Sequence, residues 1–309
     1  MALDGPRPGN LMYRMLLPSY SRSKCLNLIV LVVALGALTS ACGSAEPEIL
    51  PTTIDADRLL FERGTAALED EDWLRAREYF TQVRDNYPQS DFRAESRLGV
   101  GDTFLGQGSR VAFVSAAAEF EDFLSVYPTH SRADYAQYRL GLVAFRQMRD
   151  PSRDQLYTLN ALAHFEAFIE RYPNSELMPE VREHLREARD RLSESEIVVG
   201  RYYYRYDSWP GAISRLQSVL DEDPAFAGRD EVYFYLGASY RGEGSSAKAL
   251  GLFERLVEEF PESDYSERAH EILPELRAEA AAEANDAIEN VTPQSDPVTE
   301  SETAAATTR

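Results

Sequence analysis

A short phrase recurs along the chain and constrains its fold more than any other feature. Phe80 is followed seven residues later by Tyr87-Pro88, Phe120 by Tyr127-Pro128, Phe165 by Tyr172-Pro173 and Phe253 by Phe260-Pro261. A weaker fifth copy runs from Leu216 to Asp223-Pro224. Four residues before the first position of every copy stands an alanine: Ala76, Ala116, Ala161, Ala212 and Ala249. On a helix, a spacing of four puts the small residue and the large one on the same face, one turn apart. Upstream of each copy lies a second stretch of helical pattern with a glycine near its centre, respectively Gly64, Gly99, Gly141, Gly200 and Gly237. Small residues let two antiparallel helices approach closely, the large side chain fills the space between units, and the proline stops the second helix. No unit of this size buries its own apolar face, so stacked neighbours must supply the core.

In the last unit Tyr233, Leu236, Gly237, Tyr240, Ala249, Phe253 and Pro261 follow the tetratricopeptide pattern. The predicted fold is therefore all-α, a tetratricopeptide-repeat solenoid of about five helix-turn-helix units over residues 55–277. The glycine-to-proline spacing is 24 in the first, fourth and fifth units and longer in the second and third. The extra residues, 106–115 and 149–156, fall between the two helices of their units and are expected to emerge as loops. Residues 278–309 are rich in Ala, Glu, Thr and Pro with few large apolar side chains, and read as a disordered acidic tail.

The N-terminus has a different composition. Arg22 and Lys24 precede an apolar stretch over residues 26–38, and the small residues Thr39, Ser40 and Ala41 lead directly to Cys42. Basic region, short apolar region and small-residue cleavage site is the order of a secretory signal. Leu38-Thr39-Ser40-Ala41-Cys42 resembles a bacterial lipobox, with Thr39 where leucine is commonest. The expectation is a lipoprotein signal peptide over 1–41, lipid on Cys42, and a flexible tether over 42–54. The alternative is an uncleaved membrane anchor; for it the apolar run is short. Either Met1 or Met15 could be the true start. By resemblance to lipoprotein sorting, Gly43 after the cysteine implies the outer membrane, with the body facing the periplasm.

Charge narrows the partners. The chain has 32 basic and 52 acidic residues, a net −20; removing the leader takes away four basic residues and one acidic, leaving 28 and 51, a net −23. A protein this acidic repels phosphates, so nucleic acid is not an expected partner. After Cys42 no cysteine remains, so no disulfide can form within the mature chain. His130, His164, His184 and His270 have no metal-ligand spacing, and no glycine-rich phosphate loop occurs. No catalytic residue, metal or cofactor is expected, and a binding role follows. A third reading, an anchored envelope enzyme, requires a closed polar pocket in place of an open groove.

The first helices of the units are expected to line a groove. They carry Arg93 and Arg97, then Tyr135, Tyr138 and Arg139, then Arg201, Tyr202, Tyr203 and Arg205. Arg and Tyr combine contact area with hydrogen bonding and carry much of the energy at protein interfaces. Tyr203 falls on a core position of its unit and, like Trp209, is expected to pack.

Three segments resemble the BamD family of outer-membrane assembly lipoproteins: Tyr127 to Leu142 (YPTHSRADYAQYRLGL), the charged insert Arg149 to Asp154 (RDPSRD), and Phe165 to Ser175 (FEAFIERYPNS). Tyr202-Tyr203 leading to Trp209 adds to them, and the similarity runs from about Asp55 to Leu276. The resemblance implies a non-catalytic member of the β-barrel assembly complex, docked on the periplasmic domains of a BamA-like barrel protein beside other subunits. It implies that the N-terminal repeats receive the C-terminal signal of unfolded outer-membrane proteins. Arg93, Arg97, Tyr135, Tyr138 and Arg139 are then the candidate substrate groove, with an Arg holding the terminal carboxylate. Arg201, Tyr202, Arg205 and Tyr206 are the candidate BamA-facing residues. The family's arginine shortly before the tryptophan is here Tyr206, with Arg205 adjacent. The competing reading is another lipid-anchored repeat scaffold of the envelope, serving pilus-secretin assembly or peptidoglycan synthesis.

Overall fold

A computed structural model describes residues 55–291. Cys42, the leader, the tether and residues 292–309 lie outside them. The described residues form eleven helices in chain order: α1 (Ala56–Glu69), α2 (Trp73–Asn86), α3 (Arg93–Gln107), α4 (Arg110–Val126), α5 (Ala133–Phe145), α6 (Leu156–Arg171), α7 (Met178–Arg205), α8 (Trp209–Glu222), α9 (Arg229–Glu243), α10 (Ser246–Glu259) and α11 (Asp264–Val291). Each helix packs against the next, giving five antiparallel pairs followed by α11. The odd-numbered helices also touch one another from pair to pair, and the even-numbered ones do not. The odd-numbered set therefore lines the inside of the curve and the even-numbered set its outside. The chain is an all-α tetratricopeptide-repeat solenoid.

The recurrent phrase ends each outer helix in the same way. Tyr87, Tyr127, Tyr172, Asp223 and Phe260 cap α2, α4, α6, α8 and α10 with φ between −123° and −133° and ψ between 53° and 69°. The following proline forces this, since its ring excludes the helical region for the residue before it. The capping carbonyl then accepts the N–H three residues on, as from Ser90 to Tyr87 and from Ser263 to Phe260. At the start of outer helices, Asp72 accepts from the Arg75 N–H and Ser109 from the Ala112 N–H, supplying partners the helix itself cannot.

Within each pair the small and large residues meet as the spacing requires. Ala76, Ala116, Ala161, Ala212 and Ala249 are fully buried, as are Phe120, Phe165, Leu216 and Phe253, with Phe80 almost so. A Cβ built on Gly64 would lie 2.8 Å from the Phe80 ring, and one on Gly141 2.5 Å from the Phe165 ring. The second unit differs from expectation. Its close approach to Phe120 is made by Gly101, while Gly99 faces Phe80 of the preceding unit. Phe80 is thus wedged between Gly64 of its own pair and Gly99 of the next. Trp73 and Trp209 repeat one device: each opens an outer helix and lies flat on a glycine of the next inner helix, Gly106 and Gly242.

The two inserts have different fates. The first becomes helix, not loop. Gly108, at φ 67°, turns the chain, Ser109 caps, and α4 starts early as a 17-residue helix whose first turns expose Val111 and Val114. The second is a loop held by its own hydrogen bonds, with Asp150 accepting from the N–H and hydroxyl of Ser152. Helix α7, at 28 residues, is twice the length of most others. Val181, Leu185 and Ala188 complete the core of the second and third units, and Ile197 begins the core of the fourth. Between the two cores the buried residues of α7 are polar, Ser193 and Ser195.

The boundary expected at residue 277 falls inside a helix, because α11 continues to Val291. Ala280 is buried, Glu275 and Glu279 pair with Arg241 of α9 at 2.9 and 2.5 Å, and Glu283 accepts the Ala247 N–H at the start of α10. The extension has little apolar surface to bury; its carboxylates find a guanidinium and a helix N-terminus instead, both favourable to negative charge.

Candidate protein-binding surface

Arg93 and Arg97 sit on the first turns of α3 and are drawn away from the groove centre. Arg93 donates from Nε to the Arg84 carbonyl, one of the last of α2, at 3.0 Å. Arg97 donates to Asp122 of α4 at 2.7 Å and lies 3.9 Å from Glu119, which in turn holds Arg84 at 2.7 Å. The two arginines therefore tie the ends of α2, α3 and α4 together, with Arg97 keeping only part of its side chain in solvent.

Tyr135 and Arg139, one turn apart on α5, are brought together around a residue the sequence reading missed. The Tyr135 hydroxyl donates to Asp102 Oδ2 of α3 at 2.8 Å, and Arg139 Nε donates to the same hydroxyl at 2.7 Å. Arg139 Nε is also 2.8 Å from Asp102 Oδ1. The Arg132 guanidinium lies over the Tyr135 ring, 4.2 Å from its centroid, and that of Arg139 is 4.9 Å from it. Asp102 is 9% exposed. Burial raises its pKa above the ordinary value, against the opposing pull of Arg139 and the Tyr135 hydroxyl. Burial also pushes the Tyr135 hydroxyl up, and the Asp102 charge adds to it. Arg139 is opposed by burial, yet Asp102 and Tyr135 outweigh this and hold it firmly charged. A signal for Asp102 was present. It stands four residues after Leu98 and three before Leu105, both buried, so the helical period puts a carboxylate on the apolar stripe, where it needs a partner.

Tyr138 packs partly inside, with its ring 6.4 Å from Phe165 and 5.9 Å from His184. Burial raises its hydroxyl pKa. His184 rests edge-on against Phe145 at 4.7 Å, a packing role.

On the C-terminal half, Arg201 pairs with Glu231 of α9 at 3.0 Å and lies near the Tyr235 ring. Tyr203 packs over Gly211. Tyr202 and Tyr206 remain 57% and 65% exposed, their rings 4.9 Å apart. With Val198 and Arg205, also exposed, they form a stripe at helical spacing on the last turns of α7 that no other described residue covers. The second missed residue is Asp223. It occupies the place an aromatic takes in the other copies, is 7% exposed, and accepts from both η nitrogens of Arg186 and from the Ser193 hydroxyl. Among the described residues no group of His, Cys, Asp and Glu is arranged to hold a metal ion, and no helix is long and apolar enough to cross a membrane.

The chain is 29% identical over 224 residues to the outer membrane protein assembly factor BamD of Caulobacter vibrioides, an alignment covering 71% of this chain and 72% of that one. It is 24% identical over 250 residues to the BamD of Neisseria meningitidis, covering 77% and 92%. The BamD of Rickettsia prowazekii is 20% identical over 257 residues, covering 81% and 98%. Residues 231–263 match a tetratricopeptide-repeat family. Residues 55–241, most of the described helices, match the YfiO family, described as outer membrane lipoprotein. The chain belongs to this family, that of the BamD lipoproteins.

Proposed function

We propose that this protein is a non-catalytic component of the machinery that inserts β-barrel proteins into the outer membrane, acting there as a scaffold and a substrate receptor. Lipid on Cys42 holds it at the periplasmic face of the membrane. Its relatives are named as outer membrane protein assembly factors. The observation that carries the reading is the presence of two separate groups of tyrosine and arginine along one solenoid. The inner helix α5 of the third unit carries Tyr135, Tyr138 and Arg139, each half-buried, while the end of α7 leaves Tyr202, Arg205 and Tyr206 exposed. Tyrosine and arginine that keep part of their surface in solvent are residue types that protein interfaces favour. The first surface receives unfolded outer-membrane proteins, and the second faces a BamA-like partner. Arg201, one turn before Arg205, is paired with Glu231.

A photo-crosslinking amino acid at Tyr138 is expected to capture newly exported barrel proteins in living cells. The same group at Tyr202 or Tyr206 is expected to capture one large barrel protein at constant yield. Adducts with the same partner from both regions contradict the division.

A further inference from the structure

Five large apolar side chains stay exposed within the first five residues of an outer helix: Leu74 of α2, Val111 and Val114 of α4, and Leu156 and Leu159 of α6. They are 51% to 78% exposed, so the repeat core does not account for them. In antiparallel pairs these helix starts lie along one edge of the solenoid, where each inner helix turns into its outer one. An open groove of about 350 Å³ joins the second and third units there, lined by Val114 of α4, Tyr157 of α6 and, between them, the buried Val143 and Ala144 of α5. Exposed apolar surface gathered in this way marks an interaction site. Arginines flank it. Arg110 opens α4, and Arg149 and Arg153 stand in the loop leading into α6; all three are exposed, and none forms a salt bridge among the described residues. A cation at a helix start opposes the helix dipole, so Arg110 does not serve the helix it opens. The two carboxylates of the loop are already used, Asp150 accepting from Ser152 and Asp154 from the Leu156 N–H. Arg191 donates to the Arg149 carbonyl and ties the loop to α7. Glu121, the carboxylate that lines the groove, lies two turns beyond Val114. The edge of these two units is therefore basic and apolar in a chain of net charge −20. The equivalent turn of the first unit carries Glu69, Asp70, Glu71 and Asp72, and its charge sets it apart together with Leu74.

Apolar side chains interleaved with arginine, beside the starts of two long helices, suit a surface of phosphate headgroups over hydrocarbon. Helix N-termini favour phosphate, arginine forks pair with it, and valine and leucine enter the acyl boundary. Such a surface is within reach. Thirteen residues lead from Cys42 to Asp55, at most about 45 Å when extended. Helix length and helix spacing put the start of α4 within about 40 Å of the start of α1. We propose that the edge formed by Arg110, Val111, Val114, Arg149, Arg153 and Leu156 seats the second and third repeats on an anionic phospholipid bilayer. This takes the bilayer from the lipid attachment read above and adds a second contact, made by the protein, that sets how the solenoid stands on the membrane. The edge by itself binds weakly and reversibly, as single membrane signals do, so it orients a tethered chain and does not hold an untethered one.

The test uses the full mature chain with Cys42→Ser, so that no lipid is attached and Val114→Cys supplies the only thiol for an environment-sensitive fluorophore. A second chain carries the fluorophore through Val126→Cys, a position 58% exposed at the other end of α4. The vesicles are phosphatidylcholine alone or its equal mixture with phosphatidylglycerol. The fluorophore at position 114 is expected to shift to the blue with the mixed vesicles and not with phosphatidylcholine, and the one at 126 with neither. High salt is expected to reverse the shift. Arg149→Gln with Arg153→Gln is expected to weaken lipid affinity about fivefold per arginine, roughly 25-fold together. Arg171→Gln with Arg182→Gln, at exposed arginines away from this edge, is expected to leave it unchanged. No shift with the mixed vesicles overturns the inference and leaves the lipid anchor, tested separately by fractionation, standing. Equal shifts at 114 and 126 overturn the choice of edge, and an affinity indifferent to Arg149 and Arg153 overturns the part given to arginine. A shift with polyglutamate but not with vesicles makes the edge a site for acidic protein and overturns the bilayer.

Discussion

Phe165 and Phe253 hold equivalent places in their repeats, yet the glycines facing them leave different room. A Cβ on Gly141 would meet the Phe165 ring at 2.5 Å, whereas one on Gly237 would meet Phe253 at 3.1 Å. Phe165 is fully buried and has nowhere to move. Gly141→Ala is therefore expected to cost about 1–3 kcal/mol in overpacking, more than the roughly 1 kcal/mol that alanine gains over glycine inside a helix. Gly237→Ala is expected to be near neutral, because the ring has to give by only a few tenths of an ångström. Urea unfolding followed by circular dichroism compares them, and equal losses contradict the reading. Asp223 gives a pH-dependent counterpart. Burial works to raise its pKa, but the hydrogen bonds and charge of Arg186, with the Ser193 hydroxyl, outweigh it and hold the carboxyl below its ordinary value. A depressed carboxyl contributes stability above its unfolded pKa, about 3.9, and loses it as pH falls through the folded value. Asp223→Asn is expected to cost about 1–3 kcal/mol at neutral pH, less than a wholly buried pair, since Arg186 keeps 35% of its side chain exposed. The gap in melting temperature between variant and wild type should close below that pH; a constant gap contradicts the ion pair. Asp102 and Asp223 were missed for one reason. Each stands where the repeat pattern has an apolar or aromatic residue, and its partner comes from a different helix, 37 residues away in both cases for the arginines Arg139 and Arg186.

Helix α11 shows where periodicity stops being informative. The phrase ending in proline, aromatic–proline in four copies and Asp223-Pro224 in the fifth, located all five outer helices, because proline acts locally on the residue before it. The end of α11 has no such mark. Its last described turns are held by Glu279 on Arg241 and Glu283 on the start of α10, contacts across 38 and 36 residues, and a run of Ala and Glu carries no apolar stripe to announce them. A chain ending at Arg277 is expected to melt about 2–4 °C below one ending at Asp286, as follows from losing about 1 kcal/mol in a domain of this size. Identical melting would mean that the extension adds nothing. The same logic explains the inserts. Extra length was visible in the spacing, but whether it formed helix or loop depended on Ser109 capping α4 in one case and on Asp150 closing a turn in the other. The length of α7 was not foreseen either, since its core changes from one cluster to the next without an interruption in helical pattern.

At the scale of the whole molecule, the solenoid class and the family were legible in the sequence because both rest on repeated local patterns. Of the candidate binding residues, Tyr202, Arg205 and Tyr206 are exposed, whereas Arg93, Arg97 and Arg201 have partners across the repeats. Side-chain type marks a candidate, and only packing shows which ones the fold has already used. The proposed role also requires attachment to a membrane. Cys42→Ser is expected to move the protein from the membrane fraction to the soluble periplasmic one, and its retention in the membrane counts against the lipid anchor. The central claim is tested most directly by affinity purification of the tagged protein from detergent-solubilised membranes of its own cells, with mass spectrometry of what accompanies it. A BamA-like barrel protein recovered in about equal amount, and reduced when Tyr202 and Tyr206 are both changed to Ala, is the expected result. A secretin or peptidoglycan-synthesis enzymes in its place, with no barrel-inserting protein, would contradict the assembly role while leaving the repeat fold intact.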